Sequence, residues 1–159
     1  MQRALYRGRR FRALSVKCYS CRVKSPARGH REVEHTADWC LEVWAPDLPG
    51  LMEEAARGMF ELMGVEVSED ARCHRQLEID ADDGEQLLVS FLEELLFIAD
   101  SEELAFDGFM LKLVDTNLLA RLEGGDIVSC GKEIKAVTYH NLQIKERKRG
   151  LKTRIIFDV

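Results

Sequence analysis

The chain closes on Ile155-Ile156-Phe157-Asp158-Val159, an apolar run followed by an aspartate and by a last residue that carries a free α-carboxylate. Most chain ends fray into water, whereas an apolar strand this near the end ties it to a core. Carboxylates on adjacent residues repel, and burying them costs free energy unless a cation compensates. A hard cation such as Ca²⁺, Mg²⁺ or Mn²⁺ takes oxygen ligands, and a third carboxylate would complete a credible site. Asp38, in Glu34-His35-Thr36-Ala37-Asp38 just before an apolar-alternating segment, is the candidate third ligand. The plainer alternative is a solvated Asp158 and an Asp38 that caps a helix or forms a turn. Spacing alone does not bring the two ends together, so both readings stay open at this point.

Two further stretches are polar where an ordinary strand or helix would not be. One is Glu133-Ile134-Lys135-Ala136-Val137-Thr138-Tyr139-His140, and the other is the helix face bearing Glu93 and Glu94. His74, beside Cys73, has no partner at metal-binding spacing and reads as a surface residue. A lone Cys18-x-x-Cys21 is too little for zinc, which needs four ligands, and lacks the strand-to-helix setting of a thioredoxin-type motif. The sequence contains no P-loop, GxGxxG, HExxH or GxSxG.

The elements that must position these residues are of two kinds. In 48–63, Leu48, Leu51, Met52, Ala55, Met59, Phe60 and Met63 recur at helical spacing, with Asp47 as N-cap, Pro49 in the first turn and Gly64 at the end. In 85–99, Leu87, Leu88, Phe91, Leu92, Leu95, Leu96 and Ile98 form a broad apolar face behind Asp82-Asp83-Gly84, with Glu93 and Glu94 toward solvent. The rest alternates as strands do: 37–43 with Trp39, Leu41 and Val43 on one face, 75–80, 108–114 with Phe109, Leu111 and Leu113 inward, 118–122, 137–144 and 151–157. Lys145–Gly150 is a charged connector ending in the glycine of a hairpin turn. This pattern predicts a single α+β domain, a mainly antiparallel β-sheet with two principal helices packed on one face.

Composition bounds the possibilities. The 159 residues are 46% hydrophobic and 32% charged, an ordinary globular balance with one domain's worth of chain. No apolar run approaches the ~18 residues of a membrane span. Five cysteines, an odd number in a chain of this size, argue against a disulfide framework. The net charge of −5 hides an asymmetry: residues 1–31 hold ten basic and no acidic side chains, and 32–159 hold 13 basic and 28 acidic ones. The sequence thus divides into a basic N-terminal arm, 1–31, and an acidic domain, 32–159. The arm's sparse apolar residues predict disorder, and it reads as an over-extended start, a phosphate-binding arm or a transit peptide.

Glu34-His35-Thr36-Ala37-Asp38, Lys135-Ala136-Val137-Thr138-Tyr139 and the closing Phe157-Asp158-Val159 resemble the archease family, as do 88–97 and 101–106. The resemblance spans 32–159 and omits the arm. It implies a cytoplasmic accessory protein rather than an enzyme, one that assists the RtcB-type RNA ligase of tRNA splicing and RNA repair. That ligase joins a 2′,3′-cyclic phosphate or 3′-phosphate end to a 5′-hydroxyl end with GTP and Mn²⁺ through a guanylylated histidine. Archeases promote the guanylylation and sustain multiple turnover. The family binds a divalent metal, Ca²⁺ or Mn²⁺/Mg²⁺, through residues that correspond here to Asp38, Asp158 and Val159. His35, Lys135, Tyr139 and His140 would line that site or the ligase contact, the two histidines having an equal claim to structural hydrogen bonds. Two other readings compete: a stand-alone metal-dependent hydrolase using Asp38 and Asp158, and a chaperone-like or general nucleic-acid adaptor acting through the arm. The acidic balance of 32–159 argues against direct RNA binding by the domain itself, leaving RNA contact indirect or to residues 1–31.

Overall fold

The computed structural model describes residues 28–33, 39–139 and 141–159. Asp47 and Asp83 start the two helices, each in extended backbone with its carboxylate accepting a hydrogen bond at 2.8 Å, from Gly50 N and Gln86 N respectively. These caps satisfy amides that have no partner inside the helix. Helix α1 spans Leu48–Met63 and stops at Gly64, whose left-handed φ of 65° turns the chain away. Helix α2 spans Gly84–Glu102. The apolar faces foreseen for both are buried, but Phe97 stands 63% exposed on α2.

The described strands are β1 (Gly29–Val33), β2 (Trp39–Ala45), β3 (Glu66–Val67), β4 (Cys73–Asp80), β5 (Leu104–Val114), β6 (Asn117–Ser129), β7 (Ala136–Thr138), β8 (Lys145–Arg147) and β9 (Gly150–Asp158). Every pairing is antiparallel, and the strands divide between two sheets. The first runs β1-β2-β9-β7, with β8 also paired to β9; the second runs β3-β6-β4, with β5 also on β6. Helix α1 packs on β1, β2 and β9 of the first sheet and on β5 of the second, and α2 packs on β4, β5 and β7, so the helices join the sheets through one apolar core. Leu41, Val43, Ile155 and Phe157 face that core from β2 and β9, and Leu51, Met59, Phe91 and Leu95 meet them from the helices. No helix among the described residues is long and apolar enough to cross a membrane.

Several boundaries differ from those read in the sequence: β5 starts at Leu104 rather than Gly108, β6 runs on to Ser129 rather than Leu122, and three further differences bear on the site. Gly29-His30-Arg31, assigned to the arm, belong to β1. His30 reaches α1 through Glu54 at 3.2 Å and Glu61 at 2.9 Å, and Gly58 leaves the room for that approach: a Cβ there would lie 2.8 Å from the His30 ring. The strand expected over 137–144 ends at Thr138, because the chain turns: Leu142 N donates to Tyr139 O, and Asn141 adopts φ 56°. The connector 145–150 is itself mostly strand, β8, and only Lys148 and Arg149 form the turn into β9. Gly150 is required there, since its φ is 127° and a Cβ would sit 2.2 Å from Ala45 O.

Candidate metal centre

Strand β9 lies inside the first sheet, paired on one side to β2 and on the other to β7 and β8, and this fixes where the chain's last residues emerge. Phe157 is fully buried and pairs with Trp39. Asp158 pairs with Ala136, and its carbonyl accepts the Lys135 amide at 2.8 Å. The next residue, Val159, offers its main-chain oxygen to Lys135 Nζ at 3.1 Å. Lys132 is close by, its ammonium 4.4 Å from the centre of the Trp39 ring. The terminal segment is therefore clamped by one loop, 132–135, through both backbone and side chain.

The alternation of β9 puts Arg154, Ile156 and Asp158 on the sheet face turned away from the helices. Thr138 stands opposite Ile156 on the same face, and its Oγ1 is buried without a hydrogen-bond partner among the described residues. Orphaned buried hydroxyls are rare and call for a partner. Asp158 and Val159 thus present oxygen atoms alone, the donor type that suits a hard cation, with the Thr138 hydroxyl two residues back along the sheet. Among the described residues no three His, Cys, Asp or Glu side chains converge on one point. Asp38, Glu34, His35 and His140 lie outside the described residues, as do Cys18 and Cys21. The nearest described neighbour of Asp38 is Trp39, joined to it by one peptide bond, and Trp39 faces Phe157.

The remaining candidates separate. Lys135 is at the terminus, as foreseen. Tyr139 points elsewhere: burial pushes its phenol pKa up, a hydrogen bond with Ser90 of α2 opposes that, and Glu93 and Asp83 add to the rise. Glu93 is exposed and lines a groove of about 700 Å³ between the second half of α2 and the loop before β7, together with Phe97, Asp100, Glu103, Glu133 and Lys135. Glu94 is half-buried and outside that lining. Lys132 and the Thr138 hydroxyl escaped the sequence reading as site features. Thr138 lies inside a quoted motif, but only the strand pairing shows that its hydroxyl is buried.

A second carboxylate is more unexpected. Glu42 on β2 lies on the same outward face, yet is 2% exposed. Arg31 Nε donates to it at 2.8 Å, Arg154 Nε at 3.1 Å, and Lys152 Nζ stands at 3.0 Å. Burial alone would push this carboxyl up, but the hydrogen bonds from Lys152, Arg154 and Arg31 outweigh burial and hold its pKa down at about 2.

Residues 30–159 match the model of the archease protein family (MTH1598/TM1083). The chain is 33% identical to protein archease of Methanothermobacter thermautotrophicus over 139 residues, which covers 83% of this chain and 99% of that one. It is 29% identical to a probable protein archease of Mycobacterium tuberculosis, with 93% of each chain covered, a span that takes in part of the sequence before Arg28. In structure it is similar to the solution structure of Methanobacterium thermoautotrophicum protein 1598, with a TM-score of 0.65 at 32% identity over 82% of this chain and 99% of that one. It is also similar to a crystal structure of a Thermotoga maritima archease described as a possible chaperone, with a TM-score of 0.62 at 25% identity over 81% of this chain and 96% of that one.

Proposed function

The chain belongs to the archease family, and on that footing we propose that it is a cytoplasmic protein cofactor of an RtcB-type RNA ligase in tRNA splicing and RNA repair. In this reading it promotes guanylylation of the ligase, and with it multiple turnover, through a divalent-metal site formed by Asp38, Asp158 and Val159. The observation that carries the reading is the anchoring of the terminal segment. Asp158 and Val159 are held by strand pairing and by Lys135, so two oxygen donors keep one position instead of fraying. Asp38 supplies the third, one residue from the strand position that faces Phe157. A bound Ca²⁺, Mn²⁺ or Mg²⁺ would offset the clustered negative charge and give the edge a fixed cation to present to a partner or to the phosphates of GTP.

The protein's own residues do the rest. The β2–β9 pairing holds Trp39 against Phe157, the 132–135 loop holds the terminus, and Lys135 balances part of its charge. A partner bearing a basic surface suits the acidic groove beside Lys135, lined by Glu93, Asp100, Glu103 and Glu133.

The test is ligation turnover with limiting ligase from the same organism, in GTP and Mn²⁺. Wild type should convert a single-turnover reaction into a multiple-turnover one, and Asp38→Ala and Asp158→Ala should not. No stimulation by wild type would overturn the cofactor reading, and phosphoester hydrolysis by the protein with metal alone would replace it with a hydrolase. Full stimulation by both variants would keep the partner and reject the metal site.

A further inference from the structure

The outward face of the first sheet carries a charge opposite to that of the whole. Arg31 of β1, Lys145 and Arg147 of β8, and Lys152 and Arg154 of β9 project around Glu42 of β2, which among the described residues is the one acid buried at their centre. Cations on alternate residues of a strand lie about 6.6 Å apart, and those on neighbouring strands about 4.8 Å apart. Glu42 fixes three of them while their outer sides stay in water: the side chains of Arg31 and Arg154 are 63% and 62% exposed. Beside them lies a cavity of about 300 Å³, lined by Lys145, Arg147, Lys152 and Arg154, by Glu42, which these cations enclose, and by Asn141 and Gln143. On the same face Trp44 lies across Gly29, so close that a Cβ there would come within 2.9 Å of the indole. This ring is half-buried and takes no part in the apolar core.

We propose that this face binds single-stranded RNA, the cations holding the phosphates and the Trp44 ring and the Asn141 and Gln143 amides engaging bases. An acidic protein surface would also be drawn to five cations. What favours a nucleic-acid strand is the combination: a regular cationic lattice, an aromatic ring lying along the sheet surface, and amide groups that can both donate and accept beside a cavity open between the cations. The acidic balance of the whole domain does not forbid this: many of the acids lie elsewhere, among them those around the α2 groove, Glu42 is matched by three cations, and Asp158 stands four residues beyond Arg154 along β9, while fields between exposed charges fade within about 8 Å at physiological salt. The inference is independent of the metal site.

Binding of a fluorescein-labelled, unstructured 20-nucleotide RNA by the full chain is to be followed by anisotropy across a salt series. The double substitution Lys145→Glu with Arg147→Glu lies on exposed β8, outside the Glu42 cluster, and leaves the core intact. It should weaken binding at least tenfold and flatten the dependence of log affinity on log salt by about 2. Trp44→Ala should weaken binding about fivefold or more at an unchanged salt slope. Asp38→Ala and Asp158→Ala should bind RNA as wild type does, which separates this result from the fate of the metal site. Equal affinity of the charge-reversed protein and wild type would overturn the proposal and assign any binding to residues 1–27. Failure of wild type to bind RNA, with loss of ligase association on charge reversal, would overturn it in favour of a protein-docking face.

Discussion

Glu42 and Asp158 sit on the same face of the same sheet, yet they live in opposite circumstances. Glu42 faces Arg154, four residues from Asp158 along β9, and the protein supplies all the positive charge it needs from Arg31, Lys152 and Arg154. Asp158 lies where β9 ends. Among the described residues its side chain makes no ion pair, and one lysine reaches the main-chain oxygen of the next residue. A carboxylate compensated from within stabilises the fold, whereas one left uncompensated at an anchored edge can take a cation from outside. Burial alone would have ranked them the other way, since the carboxylate in the deeper position is the one already satisfied.

The strongest way to break this contrast is to remove ligands at the Asp158 end. Asp158→Asn should lower divalent-metal affinity by at least about 100-fold in isothermal calorimetry, with little change in the metal-free melting temperature. Appending residues after Val159 should weaken binding to the same degree; equal affinity of extended and native chains would remove the terminal oxygen from the ligand set. At the other end, Glu42→Gln should cost about 2 kcal/mol of stability in urea unfolding and leave metal affinity alone. The sign of its pH dependence follows from a folded-state pKa of about 2 against an ordinary 4.5. The stabilisation is fully present above about pH 5 and is lost as pH falls toward 2, so wild type and Glu42→Gln should converge in stability on acidification. The smallest effect belongs to Lys135→Met. Removing a positive charge beside the terminal oxygen should raise metal affinity several-fold, and a fall instead would make Lys135 a residue that positions the terminus.

Both helices were legible from the sequence to within a few residues, because apolar spacing, N-cap aspartates and Gly64 all agree. The alternating faces of β2, β5 and β9 were equally legible. Strand β1 was not, because Gly-His-Arg-Glu-Val carries polar residues on both faces and continues a run of basic ones. What marks it as a strand is its pairing to β2 and the reach of His30 to Glu54 and Glu61 on α1, 24 and 31 residues away. The anchored end was readable from the apolar closing strand, and the place of Lys135 from the family resemblance. Glu42 was not: alternation places it outward, and the cations that enclose it come from 11, 110 and 112 residues away, beyond the reach of any local pattern.

The position of β9 also bears on how the chain is made. Strand β2 leaves the ribosome long before its partner, since Glu42 and Arg154 are 112 residues apart, roughly 6 to 20 s of synthesis. Helix α1 follows directly after β2 and can cover Leu41 and Val43 almost at once. The backbone edge of β2 gains no such cover, and it stays an open template for wrong partners until Gly150–Asp158 arrive. The vulnerable interval of this protein therefore lies in translation, and a chaperone that guards it needs to shield one strand edge as well as the unfinished apolar core.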